Sequence, residues 1–386
     1  MSKPTQKPTS NKFSSGPCAK RPGWNADFLN ETELLGRSHR SKEVLQVINE
    51  VNALSLEFLN VPKDYKIAII AASDTGAFEC AMWNMLGARA VDVIHFEAFG
   101  AEWYNAITQQ LRLPNVREFK APFGKIPDLA QVNFDNDVVF TLNGTTSGVC
   151  INDLDFIDAN RKGLTFCDAT SAAFSMPMDF SKLDVTTYSW QKSLGGEAQH
   201  GVLILSPRAV KRVEEYTPNW PLPKIYQLKK KGVFQENVFA GSVINTTSTA
   251  CILDALDALT WIKKEGGISA MYARVNKNFA AISKFLSSSK NFENLCADTK
   301  FQSRTSVCFT ISQSWFKELQ VEEQRKFIDK IATILQEEKV AFDIKGYNSA
   351  PPSFRVWCGL TAEASDIEKL CEWFEYAYEA AFAARG

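Results

Sequence analysis

Leu164-Thr165-Phe166-Cys167-Asp168 and, further on, Val185-Thr186-Thr187-Tyr188-Ser189-Trp190-Gln191-Lys192-Ser193-Leu194-Gly195-Gly196 decide how this chain reads. The first is a short apolar run that ends on a carboxylate. The second is a β-branched and aromatic run, Val185–Trp190, that leads into a lysine followed by small residues. Short runs of this kind fit strands covered on both faces of a sheet. Working outward, Ile67–Ser73, Ala90–Phe96, Asp137–Asn143 and Gly201–Ser206 are further candidate strands. Helical patterns fall between some of them. Phe78, Met82, Met85 and Leu86 share one helical face, and Gly87 suits its C-terminal stop. Such alternation predicts an α/β domain with a mostly parallel sheet flanked by helices.

Beyond the last of these strands the pattern changes. Ile252, Leu256 and Leu259 mark a helix over Ser248–Lys264, and Gly266-Gly267 then punctuates the chain. Val275, Phe279, Ile282 and Leu286 mark a second amphipathic helix. Val307–Ile311 and Phe354–Cys358 read as strands, with a helix over Val321–Glu338 between them. A final helix with the stripe Ile367, Leu370, Phe374 and Ala377 starts at Ser365, where Glu368 is placed to close a capping box. We therefore expect a large domain over 13–265, a smaller α+β domain over 266–386, and a polar, flexible tail over 1–12.

The 386 residues carry a net charge of -1, which offers nucleic acid or an anionic membrane surface no field to bind. No apolar run reaches the ~18 residues of a spanning helix, and the N-terminus lacks a secretory pattern. The nine cysteines are scattered without a C-x-x-C, so we expect free thiols and a cytoplasmic protein. His39, His95 and His200 have no metal-ligand spacing.

Three features carry chemistry. Lys192, at a strand end before a glycine loop, is placed for a Schiff base, although most loop lysines are simply solvated. Asp168 could pair with a protonated pyridine nitrogen, although an isolated aspartate there is more often a cap. Their order on successive strands, about two dozen residues apart, is more specific than either alone. The third feature is Ser73-Asp74-Thr75-Gly76-Ala77-Phe78, where a helix begins. Its free amides, the Thr75 hydroxyl and Gly76 suit a phosphate, although an ordinary helix cap would look the same. It lacks the Gly-Lys-Ser/Thr ending of a nucleotide loop.

Together these features resemble fold-type-I, class-V aminotransferases, and among them the phosphoserine aminotransferase family. Phe13-Ser14-Ser15-Gly16-Pro17, Ser38-His39-Arg40-Ser41, Asn143-Gly144-Thr145-Thr146-Ser147-Gly148 and Ser353-Phe354-Arg355 each resemble a motif of that family, and the match runs from about Lys12 to the C-terminus. The resemblance implies a seven-stranded sheet and pyridoxal 5'-phosphate as cofactor. It implies Lys192 as the Schiff-base lysine and proton shuttle, and Asp168 on the pyridine nitrogen. Trp103 would stack on the ring, and Thr145 would hydrogen-bond its O3′ oxygen. Thr75, Gly76 and Gln191 would hold the cofactor phosphate, with Asn245 and Thr246 reaching it from the neighbouring subunit of a homodimer. Arg355 would take the substrate α-carboxylate. His39 and Arg40 would bind the phosphate of phosphoserine or the distal carboxylate of glutamate.

Two stretches depart from the family pattern. Asp74-Thr75-Gly76 lacks the glycine- and arginine-rich form of many members, and Asn348–Pro352 lacks an extra basic residue before Arg355. The implied reaction moves an amino group from glutamate to 3-phosphohydroxypyruvate, giving phosphoserine and 2-oxoglutarate. A phosphorylated threonine-like intermediate of vitamin B6 synthesis is a second implied substrate. The rivals are an alanine–glyoxylate or serine–pyruvate aminotransferase and a cofactor-binding regulator or inactive scaffold. A cysteine desulfurase fits less well, because no cysteine lies in an evident mobile loop of the small domain.

Overall fold

The computed structural model describes residues 2–385. Seven strands form one sheet: β1 (Lys66–Ala71), β2 (Val91–His95), β3 (Val116–Lys120), β4 (Asp137–Thr141), β5 (Thr165–Asp168), β6 (Val185–Ser189) and β7 (His200–Leu205), in the order β1-β7-β6-β5-β4-β2-β3. Only β7 runs antiparallel to its neighbours. The pairs among β6, β5, β4, β2 and β3 are all parallel. The expected mostly parallel sheet is therefore present. Strand β3 was absent from the expectation because it is an edge strand, Val-Arg-Glu-Phe-Lys, whose side chains are exposed or half-buried. A strand that buries neither face completely has no reason to be an apolar run.

Side chains alternate across the sheet, and each set has its own helices. Ala68, Ile70, Val91, Val93, Val139, Phe166, Leu203 and Leu205 pack with helices α2 (Ser73–Met85) and α4 (Pro207–Glu215). Ile67, Ile69, Ile94, Val138, Phe140, Cys167, Val202 and Ile204 pack with α1 (Lys42–Phe58) and α5 (Thr249–Lys264). Each large apolar side chain buried this way stabilises the fold by about 1.5–3 kcal/mol. The remaining helix of this region, α3 (Ala98–Asn105), follows β2.

A third core is built on the antiparallel sheet β8 (Phe292–Asn294), β9 (Ser306–Ile311) and β10 (Phe354–Trp357), with α7 (Val321–Glu337) and α8 (Ala364–Ala383). Phe292 is its centre, with edge-on rings from Phe309, Phe354, Phe374 and Tyr378. Helix α6 (Ile268–Ser288) starts just after Gly266-Gly267. Its Met271 and Val275 pack into the first body, and its Ile282 into the second. We propose the joint between the domains at 265/266, with α6 lying across it.

The expectation of a loose tail over 1–12 is corrected for its described residues. The amides of Thr9 and Ser10 donate to the Asp366 carboxylate at 2.8 and 3.0 Å, and Trp373 Nε1 donates to the Gln6 carbonyl at 2.7 Å. Further on, the Trp357 amide donates to the Phe13 carbonyl, and Phe13 enters the third core. The stretch is a strap on the C-terminal body. Its composition is polar, but its backbone makes these contacts. The expected capping box is missing because the helix starts at Ala364, so Ser365 lies inside its first turn and is not its N-cap. Helix α8 is capped by Glu363 without a side-chain bond, and Asp366 in its first turn receives the strap instead of helix amides.

Candidate active site

The C-terminal ends of β4, β5 and β6 lie side by side, since Thr141 pairs with Asp168 and Asp168 with Thr187. In an open α/β sheet this edge is where ligands bind. Because β7 is antiparallel, its first residue, His200, arrives at the same edge opposite Ala71. The chain leaves β1 through two residues with left-handed backbones, Ala72 at φ 68° and Ser73 at φ 56°. Strain of this kind is concentrated at functional sites. Helix α2 then starts with no side-chain cap, which leaves its opening amides for a ligand. Gly76 makes the turn possible, because a Cβ there would lie 1.9 Å from the Ala71 carbonyl oxygen.

One buried slot at this edge is lined by Thr75, Trp103, Thr145, Asp168, Gln191 and Lys192, six of the expected residues, together with Asp74, Phe99 and Asn143. Asp168 is fixed from two sides: Oδ2 accepts from Trp103 Nε1 at 3.0 Å, and Oδ1 accepts from the Thr170 amide at 3.0 Å. Trp103 leans on Phe78, with ring centroids 4.7 Å apart. Thr145 donates to Ser171 Oγ at 2.8 Å, and its carbonyl accepts from Ser306 Oγ, which ties the 143–148 loop to β9.

Lys192 is buried, and its Nζ donates to the Ser15 carbonyl. Burial above all, and then the Arg355 cation, hold its amine below the ordinary lysine range, while Cys18 and Asp168 oppose the shift. The opposition from Cys18 requires a thiolate. Burial pushes that thiol up to about 12, so near neutrality it is uncharged and contributes nothing. A neutral amine is the nucleophilic form.

A second cavity of about 830 Å³ adjoins the slot. It is lined by Arg355, His95, Glu97, Lys120 and Tyr347 among others, and the rings of Tyr347 and the slot residue Phe99 are 5.6 Å apart. Arg355 lies over the Tyr347 ring at 5.9 Å, and its buried Nε has no hydrogen-bond partner. Glu97 accepts from the Gly100 amide at 2.6 Å and from Thr146 Oγ1 at 2.8 Å. Burial, despite those bonds, pushes its carboxyl up to about 7.

The other expected residues lie elsewhere in the protomer. His39 is half-buried and Arg40 exposed, and both stand just before the Ser41 cap of α1 and line neither cavity. Asn245 and Thr246 are exposed, on the segment leading into α5. His200 holds that segment, because the Ser248 amide donates to its Nε2 at 3.1 Å. Ser15, Glu97 and His200 were not singled out from the sequence for these contacts, and of them only Ser15 lay inside a recognised motif.

Buried polar atoms are nearly always satisfied. Asp74 Oδ1, Thr141 Oγ1, Asn143 Oδ1, Thr170 Oγ1 and Gln191 Oε1 are not, and all five residues line the slot. Their clustering marks a site for a polar ligand. Among the described residues there is no cluster of side chains able to hold a metal, and no helix is long and apolar enough to cross a membrane.

The family described as Aminotransferase class-V matches residues 29–358. The phosphoserine aminotransferase of Methanosarcina mazei is 49% identical over 378 residues, covering 98% of this chain and 99% of its own. Among solved structures, the phosphoserine aminotransferase of Cytophaga hutchinsonii has TM-score 0.80 at 21% identity, covering 95% of this chain and 99% of its own. The phosphoserine aminotransferase of Trichomonas vaginalis, solved with PLP bound, has TM-score 0.74 at 19% identity, covering 95% of this chain and 99% of its own. The two structures show that the fold is shared. With the family match and the close relative beside the slot geometry, this chain belongs to the class-V aminotransferases, within their phosphoserine aminotransferase group.

Proposed function

We propose that the protein transfers an amino group between L-glutamate and 3-phosphohydroxypyruvate, giving O-phospho-L-serine and 2-oxoglutarate, with pyridoxal 5'-phosphate as cofactor. The observation that carries this reading is the shared slot of Lys192 and Asp168, closed by Trp103 and bordered by the uncapped end of α2. The slot suits that group. It offers an amine for the aldehyde, a carboxylate for the pyridine nitrogen, an indole for the ring face and amides for a phosphate. The unpartnered polar atoms of Thr141, Asn143, Thr170 and Gln191 are those a ligand of this kind would satisfy. When bound, the group supplies an electron sink conjugated to the amino acid's Cα.

The chain's own residues do the rest. Lys192 would hold the group through its amine and, once free, would move the proton at the substrate's Cα. A depressed amine pKa keeps part of it unprotonated for both tasks. Asp168 would face the ring nitrogen, Thr75, Gly76 and Gln191 would hold the phosphate, and Thr145 the ring hydroxyl. Arg355, with a free Nε in a cavity beside the slot, takes the α-carboxylate with its planar fork.

We further propose a homodimer. Asn245 and Thr246 complete the partner's cofactor-phosphate site, and His39 and Arg40 reach a substrate's distal anion across the same interface. Their positions outside both cavities of one protomer support this. Nine unpaired cysteines support a cytoplasmic setting. A substrate panel tests the assignment. Turnover should be strong with phosphoserine and 2-oxoglutarate and weak with alanine and glyoxylate; equal rates with both pairs contradict it.

A further inference from the structure

The carboxyl of Asp74 has no part in the roles above. It is 6% exposed, stands in the first turn of α2 and lines the slot with Lys192 and Asp168. Its Oδ1 has no hydrogen-bond partner. The Asp168 carboxyl and the hydroxyls of Thr170 and Thr187 lie beside it, the Cys167 thiol feels its charge, and Lys192 lines the same slot. Asp74 and Asp168 line one buried slot, and two carboxylates close together in a dry site do not both ionise readily. Asp168 already accepts N–H bonds from Trp103 Nε1 and from the Thr170 amide. No such N–H donors face Asp74. Burial and the charge of Asp168 push its carboxyl well above the usual carboxylate range.

We propose that Asp74 is a positioning residue that keeps its proton at working pH and shares it with Asp168, so that the opening turn of α2 presents no negative charge where a cofactor phosphate binds. The inference rests on the cofactor reading above. An ionised Asp74 would repel a phosphate at the amides of Thr75 and Gly76 and add a second charge beside Asp168. A protonated Asp74 removes that repulsion, and its hydrogen bond aims Asp168 and tempers its basicity toward the ring nitrogen.

Infrared difference spectra of the holoenzyme, wild type minus Asp74→Asn, test this at neutral pH. A protonated-carboxyl stretch should remain in the difference, since the Glu97 contribution cancels. Asparagine copies the neutral acid in shape and charge. Asp74→Asn should therefore keep cofactor affinity within about twofold and leave the pH of the visible absorbance transition unmoved. Asp74→Ala, without a donor, should bind the cofactor roughly tenfold more weakly. Visible absorbance of each protein reports separately that cofactor is bound, so a failure here is distinct from a failure of the cofactor reading. The inference is overturned by a difference spectrum without that stretch. It is equally overturned if Asp74→Asn binds cofactor more tightly and shifts the transition, as removal of a full charge would. Should Asp74→Asn fail to fold, isotopic labelling of aspartate carboxyls in the wild type decides the same question, because it moves the stretch only if an aspartate carries the proton.

Discussion

The Arg355 guanidinium lines the second cavity with its buried Nε unpartnered. Arg355 lies on β10, an element of the C-terminal sheet, yet its charge acts on Lys192 in the slot. Lysine at 355 would keep the charge and lose the planar fork. A charge-assisted hydrogen bond contributes about 1.5–3 kcal/mol, so Arg355→Lys should raise KM for glutamate and phosphoserine roughly ten- to a hundredfold, with a smaller change in kcat. Steady-state kinetics on both substrates checks this, and a fall in kcat at constant KM would place Arg355 in the chemical step instead. Lys192 and Asp168 were legible as neighbours in one slot because Asp168 ends β5, Lys192 stands just past β6, and small residues follow each. Glu97 was not. Its character comes from burial against Gly100 and Thr146, which only the folded chain brings about.

At the scale of elements, the turn from β1 into α2 and the N-terminal strap make opposite demands on their residues. The turn leaves no room. Overpacking of a tight site costs about 1–3 kcal/mol, and a Cβ at 76 would sit 1.9 Å from the Ala71 oxygen. Gly76→Ala should lower the thermal midpoint and weaken cofactor binding, measured by melting and by equilibrium dialysis, whereas alanine in an open helix turn would stabilise it. The strap depends on one acceptor. Asp366→Ala strands two backbone amides and should cost about 2 kcal/mol. Limited proteolysis should then cut near Lys7 and Lys12 faster than in wild type. Six of the seven sheet strands were readable as apolar runs; the edge strand β3 and the strap were not. Edge strands and straps are held by backbone bonds to distant partners, and such bonds leave no periodic trace in composition.

For the whole molecule, pH acts through buried groups with opposite signs. Burial raises the Glu97 carboxyl from an ordinary 4.5 to about 7. Between those values the folded chain holds a proton that the unfolded chain releases, so this stabilisation is complete below pH 4.5 and lost as pH rises through 7. Burial lowers His200 from 6.5 to about 4, so its contribution runs the other way, gaining as pH rises from 4 to 6.5. The Asp74 carboxyl, also raised by burial and the charge of Asp168, acts in the same direction as Glu97, so the wild-type stability should fall as pH rises where these groups overlap. Glu97→Gln removes one slope. Relative to wild type, the variant should gain stability between pH 4.5 and 7 by about 3 kcal/mol, read as a growing difference in denaturation midpoint. The α/β class and the small C-terminal domain were legible from alternation and its end near Gly266.

All of this depends on which amine holds the cofactor. Borohydride reduction of the holoenzyme followed by peptide mapping identifies it directly. The account predicts a phosphopyridoxyl adduct on Lys192 and on no other lysine, and no adduct when phosphoserine is added before the reductant. An adduct on a different lysine, or one that forms equally with phosphoserine present, would contradict it.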